Sequence, residues 1–188
     1  MTTPHRKKVR SYNIPGHAHE LTFSCFQRLP LFSRDRTRRW FVDAMEAARR
    51  DLHLQLWAYV IMPEHVHILL WPTAEEYDVR LIRTALKVPV MRKALRHLKR
   101  HAPSFLEQLK DVQPNGQVHY RFWQRGGGYD RNAFEPATLF AMIEYIHNNP
   151  VRRGLCAHPS DWIWSSARFH AGERSVPILM DDLPCVLE

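Results

Sequence analysis

Two histidines two residues apart, His65 and His67, head an apolar run in Met62-Pro63-Glu64-His65-Val66-His67-Ile68-Leu69-Leu70-Trp71. On a strand alternate side chains share a face, so both imidazoles project from one side while Val66 and Ile68 project from the other. Neutral imidazole ligates divalent transition metals, and a strand sets the separation of two rings better than a loop does. The pair is half a metal site. Histidines on a half-buried strand also serve as hydrogen-bonded core or surface residues, so the pair carries chemistry only if partners reach it. Candidate partners stand about eighty residues downstream, in Glu144-Tyr145-Ile146-His147-Asn148-Asn149-Pro150-Val151. Tyr145 and Asn149 are four residues apart there, which on a helix turns a phenol and an amide toward one side.

The elements that must hold these groups follow from periodicity. Residues 20–26 alternate as a first strand with Leu21, Phe23 and Cys25 on one side, and residues 35–51 carry Trp40, Phe41, Ala44, Met45 and Ala48 at helical spacing. Arg36, Arg38, Arg39, Arg49 and Arg50 form that helix's solvated face. Residues 54–62 and 65–71 are two apolar runs joined across Pro63-Glu64, the pattern of adjacent antiparallel strands, with the histidine pair on an inner one. Residues 79–106 contain no acidic residue and read as a long basic amphipathic helix that Pro89 should kink or split. Residues 118–123, Val-His-Tyr-Arg-Phe-Trp, are predicted as the fourth strand, running into the glycine-rich loop that carries Tyr129. Pro136 opens the next helix, whose buried stripe is Leu139, Met142, Ile143 and Ile146 and which is predicted to stop at Asn149-Pro150. Trp162, Trp164 and Phe169 belong to a final short helix or lid on the core.

The order strand, helix, strand, strand, helix, strand, helix is that of an α+β ferredoxin-like sandwich. A four-stranded antiparallel sheet with helices on one face leaves the other open. The histidine side of the inner strand then forms a floor, and a helix crossing it supplies the remaining groups.

Composition narrows the partner. With 27 Lys+Arg against 19 Asp+Glu among 188 residues the formal charge is +8, which favours a polyanion, nucleic acid first. Arg80, Arg83, Lys87, Arg92, Lys93, Arg96, Lys99 and Arg100 on the long helix are the predicted DNA-binding cations, joined by Arg125 and Arg131. The length suits one domain, taken as residues 17–170, with a basic and unstructured amino-terminal arm over 1–16 and a tail over 171–188. The three cysteines, Cys25, Cys156 and Cys185, suit neither a disulfide framework nor a zinc knuckle. With no signal-peptide or membrane-spanning pattern, a soluble cytoplasmic protein without membrane partners is expected.

On Met62-Pro63-Glu64-His65-Val66-His67, Phe122-Trp123-Gln124-Arg125 with Tyr129-Asp130-Arg131, Tyr145 to Val151 with Gly154-Leu155, and Asp161-Trp162-Ile163-Trp164-Ser165-Ser166, the chain resembles the single-tyrosine HUH transposases, and among them the REP-associated tyrosine transposases. The resemblance spans roughly residues 12–170 and is specific through the order and spacing of the pieces. It implies the HUH endonuclease fold, His65 and His67 as metal ligands, Tyr145 as nucleophile and Asn149 as the residue completing the metal site. It also implies a Mg²⁺ or Mn²⁺ cofactor and single-stranded DNA with hairpin repeats as substrate, cut and rejoined through a 5′-phosphotyrosine link. An ordinary phenol is protonated at neutral pH and weakly nucleophilic, so such a tyrosine needs a polarised phosphate.

Alternatives remain at this level. Pro150 could make Asn149 a helix cap, with His147 or Glu64 as ligand instead, and Tyr129 is a rival nucleophile. A nitrogen-rich ligand set suits Mn²⁺ better than Mg²⁺. A catalytically silent hairpin-binding protein and an RNA-binding module compete with the transferase, and a monomer is preferred over a homodimer.

Overall fold

The computed structural model describes residues 11–183. Cys185, the basic residues 6–8 and the outermost parts of the expected arm and tail lie outside that range. The first strand, β1 (Ala18–Ser24), leads through a short 3-10 turn to helix α1 (Asp35–Asp51). Strands β2 (Leu54–Ile61) and β3 (His65–Pro72) follow, then helix α2 (Val79–His101) and the short α3 (Pro103–Leu106). Strands β4 (Lys110–Val112), β5 (Val118–Tyr120) and β6 (Tyr129–Ala133) precede helix α4 (Pro136–Arg152) and the short α5 (Ala167–His170).

The main sheet is four-stranded, in the order β2-β3-β1-β6, with every pairing antiparallel. Alternation along β1 and β3 splits the core in two. Leu21, Phe23, Val66, Ile68 and Leu70 face α1 and α2, where Phe41, Met45, Ile82, Leu86 and Val90 close the larger core. The opposite face receives α4, whose Leu139, Met142, Ile143 and Ile146 meet Ala18, Trp57, Ala58, Val60, Met62 and Leu69. The α+β sandwich and its antiparallel sheet are as expected, but the helices are not confined to one face: α4 covers the histidine side. A β-bulge between Leu56 and Ala58 shifts the phase of β2, so that Leu54 and Leu56, then Tyr59 and Ile61, point into the same core.

Three boundaries differ from those predicted. The fourth strand of the sheet is Tyr129–Ala133, not residues 118–123. Val118–Tyr120 pairs instead with Lys110–Val112 in a separate two-stranded sheet, and only the end of the segment meets the core, where Gln124 N–H donates to Ser24 O and Phe122 and Trp123 are buried. The true edge strand, Tyr-Asp-Arg-Asn-Ala, is polar because an edge with an open face does not need the apolar alternation that marks an inner strand. Helix α2 runs unbroken through Pro89. Helix α4 continues past Asn149-Pro150 to Arg152 and closes in a Schellman motif, Gly154 N–H donating to Val151 O and Leu155 N–H to Pro150 O, with Gly154 at φ +66°.

The described ends of the chain are tied down rather than loose. Asn13 Oδ1 accepts from Val79 N–H at 3.2 Å, Tyr12 O accepts from Asn132 at 2.9 Å, and Asp181 Oδ2 accepts from Leu56 N–H at 2.8 Å while Ile178 and Met180 join the core. No helix among the described residues is long and apolar enough to cross a membrane.

Candidate active site

Strand β3 presents His65 and His67 to the face that α4 covers, and their rings lie 5.0 Å apart, edge to face. Both are buried. His65 Nδ1 stands 3.1 Å from Glu64 Oε1, and His67 Nδ1 stands 2.9 Å from Thr22 Oγ1 and 3.6 Å from Glu20 Oε1. An oxygen beside each Nδ1 favours the tautomer that leaves the Nε2 lone pair free, the arrangement that second-shell oxygens impose on metal-binding histidines. Burial, and then the neighbouring His67, hold His65 below the ordinary histidine range against the opposing pull of Glu64, which keeps the ring neutral and able to ligate.

Helix α4 brings the rest. Its apolar stripe seats it on β2 and β3, and the residues one face round from that stripe look onto the histidines. The Tyr145 ring packs edge to face on His67 at 5.6 Å, and the Arg152 guanidinium lies over the Tyr145 ring at 5.0 Å. Tyr145 remains 43% exposed, so its hydroxyl is accessible. Asn149, one turn on, lines the same cleft as His65, His67 and Tyr145, a space of about 340 Å³. Because α4 continues through Asn149, that amide is not a helix cap. Among the described residues no group of three or more His, Cys, Asp or Glu is placed to hold a metal, and the oxygen donor that α4 sets in the cleft beside the two imidazoles is the Asn149 amide.

Other expected groups separate from the site. His147 is buried on another face of α4, with Nε2 2.8 Å from Ser166 Oγ and burial pushing it down to about 3. It braces the helix and is no ligand. Glu64 touches His65 from behind. Tyr129 begins β6 instead of riding on the glycine-rich loop, and it lines a second cleft together with His67 and Tyr145.

No family model matches the chain. Over 144 residues it is 26% identical to a Haemophilus influenzae protein named as a REP-associated tyrosine transposase, covering 73% of this chain and 75% of that one. A solved REP-associated tyrosine transposase bound to a REP hairpin superposes with a TM-score of 0.60 at 20% identity, over 95% of both chains. The chain is similar to the REP-associated tyrosine transposases. The likeness in structure is one of fold.

The transposase-like fold divides the basic residues unequally. Arg80, Arg83 and Lys87 of α2 line a groove with Gly126 and Gly127, and Lys87 continues into an adjoining groove with Arg28, Gln124 and Arg125 that ends at Thr22 and Ser24. Ser24 and Arg28 also line the histidine cleft, so the three hollows form one cationic track. Lys87 is the most unusual of these cations. Burial, and then Arg83, push its ammonium down to about 8, and it is held by Gly126 O at 3.1 Å and by the faces of Phe23 and Trp123. By contrast Arg80 is paired with Asp78 and Arg125 with Asp111. Arg92, Lys93, Arg96, Lys99 and Arg100 lie on the far half of α2 and line none of these hollows, Lys93 pairing with Asp43 of α1 at 2.8 Å. Arg131 lines the second cleft with Tyr129.

Sequence reasoning missed Glu20, Thr22, Arg28, Arg152 and Arg153. Glu20 and Thr22 had a signal, since they alternate with Leu21 and Phe23 and must face the other side of β1. Arg152 is seven residues beyond Tyr145, two helical turns along the same side. Arg28 had none: it enters the site from a turn in which Gln27 and Arg28 take φ +51° and +55°, a left-handed conformation that non-glycine residues rarely adopt.

Proposed function

We propose that the protein is a metal-dependent, single-stranded DNA transposase that cuts and rejoins DNA beside hairpin repeats through a 5′-phosphotyrosine link. The observation that carries the reading is the placement of Tyr145 against His67, with Asn149 in the same cleft and cations on its rim. The relative and the solved structure named above support it.

In this reading the strand follows the cationic track and sets one phosphate in the histidine cleft. Arg28 and Arg152, which have no carboxylate partner among the described ion pairs, hold its non-bridging oxygens. His65, His67 and Asn149 would hold Mg²⁺ or Mn²⁺, which when bound withdraws charge from the phosphate. The Tyr145 hydroxyl oxygen attacks phosphorus and gives up its proton; the bond from phosphorus to the 3′ oxygen breaks, and that oxygen leaves as a 3′-OH. Attack by a 3′-OH on the phosphotyrosine restores a phosphodiester and frees Tyr145, with no nucleotide consumed. Because the histidines, the tyrosine and the amide all come from one chain, a monomer suffices for this chemistry.

The test is a denaturing gel of protein with labelled hairpins from repeats flanking its gene, in Mn²⁺, Mg²⁺ or chelator. A metal-dependent covalent adduct lost with Tyr145→Phe and kept with Tyr129→Phe is expected. Tight hairpin binding with no adduct in any metal makes the protein a hairpin-binding module instead.

A further inference from the structure

We propose that the cleft between Tyr129 and helix α4 is a nucleobase pocket, which takes one unpaired base of the strand whose phosphate lies at His67 and Tyr145. The inference rests on the strand-transfer reading and names a subsite within it.

His67 and Tyr145 form a wall shared by two hollows of different chemistry. The smaller carries Arg28, Arg152 and Arg153 and suits a phosphate. The larger, about 690 Å³, is bounded by two phenol rings, the methyl groups of Ala137 and Ala141, and Thr138. It suits something flat and largely uncharged. Tyr129, at the start of the edge strand, leaves its ring 48% exposed. Opposite it, Ala137 and Ala141 stand four apart on α4, where any longer side chains would fill the gap. An exposed ring facing small residues across a gap, beside a phosphate site, is a stacking platform for an unpaired base.

The platform is held in place by backbone. A Cβ at Gly128 would lie 2.2 Å from Thr22 O, so β1 packs directly on the bare chain preceding Tyr129. Thr22 pairs in register with His67 on one side and Tyr129 on the other, which sets the ring two strand spacings from the histidine, roughly 10 Å. One nucleotide bridges such a gap between phosphate and base. Glu20 and Arg131, opposed in register, both line the pocket. A carboxylate accepts and a guanidinium donates, so the pair can meet the edge of any unpaired base, since each base carries at least one donor and one acceptor.

The experiment uses the full chain with chelator present, so that affinity is read without strand cutting. Hairpins with single-stranded flanks carry one abasic residue at each flank position in turn. One position is expected to lower affinity about tenfold, the scale of a lost stacking contact. Tyr129→Ala and Ala141→Leu should each impose a similar loss on intact DNA and erase the abasic penalty, and Tyr129→Phe should recover what Tyr129→Ala loses. Thermal melting of each variant separates a lost contact from a lost fold. An abasic penalty of equal size in wild type, Tyr129→Ala and Ala141→Leu overturns the pocket, as does a scan with no sensitive position. A metal-loaded wild-type protein that binds hairpins but forms no adduct overturns the strand-transfer reading and leaves the pocket to be judged by the scan; failure to bind any hairpin overturns both.

Discussion

A single carboxylate oxygen, Glu64 Oε1, lies 3.1 Å from His65 Nδ1 and 2.9 Å from Arg153 Nη2. It thereby joins the turn before β3 to the end of α4, the two elements that carry the imidazoles and the phenol. Glu64→Gln keeps the shape and removes the charge that orients His65 and anchors Arg153. Outer-sphere partners of this kind typically change metal affinity by roughly 10- to 100-fold. Titration calorimetry with Mn²⁺ should show a loss of that order in Glu64→Gln with an unchanged melting temperature; equal affinity in both proteins refutes the role.

Lys87 is a desolvated cation that the fold retains at a cost. Its folded value, about 8, lies below the 10.5 of a free lysine, so between these values the unfolded chain holds a proton that the folded chain lacks. Stability from this group therefore rises with pH across that window, and the full penalty is present below pH 8. Lys87→Met should stabilise the protein by about 1–3 kcal/mol at pH 7, with a smaller difference at pH 9.5. The same change should weaken hairpin binding and reduce the magnitude of its salt slope by about one. Denaturant unfolding at both pH values, with affinity measured across salt concentrations, checks the two together.

Gly128 has a positive φ of +81° and no room for a methyl group beside Thr22 O. Gly128→Ala must shift β6 away from β1, displacing Tyr129 and Arg131. A loss of about 2–4 kcal/mol is expected from the combined backbone strain and clash. Urea unfolding reads the loss, and a variant as stable as wild type would show that the edge strand adapts freely.

Ser166 links the functional helix to the sheet. Its hydroxyl accepts from Tyr59 N–H at 2.9 Å and lies 2.8 Å from His147 Nε2, all of it buried. Ser166→Ala leaves two buried polar groups without their partner, and each such group costs roughly 1–3 kcal/mol. Hydrogen exchange should show faster opening at Tyr59 and along α4, whereas unchanged protection would mean that packing alone holds the helix.

Much of this architecture was legible before any coordinates. The helix over 35–51 matches Asp35–Asp51, and the long basic helix read over 79–106 starts at Val79 as expected and ends at His101, because a buried face leaves a 3.6-residue period while the break before Pro103 does not interrupt it. The inner strands were equally clear from continuous apolar runs. The fourth strand was not, since Val118–Tyr120 has the composition of a strand and Tyr129–Ala133 does not. Edge strands are chosen by which backbone meets a free row of hydrogen-bonding groups, and composition only biases that choice.

What the sequence determined by itself is chemistry and its local phase: two imidazoles on one side of a strand, a phenol and an amide on one side of a helix, and an excess of positive charge. Those depend on spacing of a few residues, which local backbone geometry preserves. The tertiary structure alone decided that α4 covers the histidine face, that Arg28, Arg152 and Thr22 converge there, and that only part of the basic helix lies along the track leading to it. Those are contacts between residues far apart in the chain, set by how two cores pack against one sheet, and no local period encodes them.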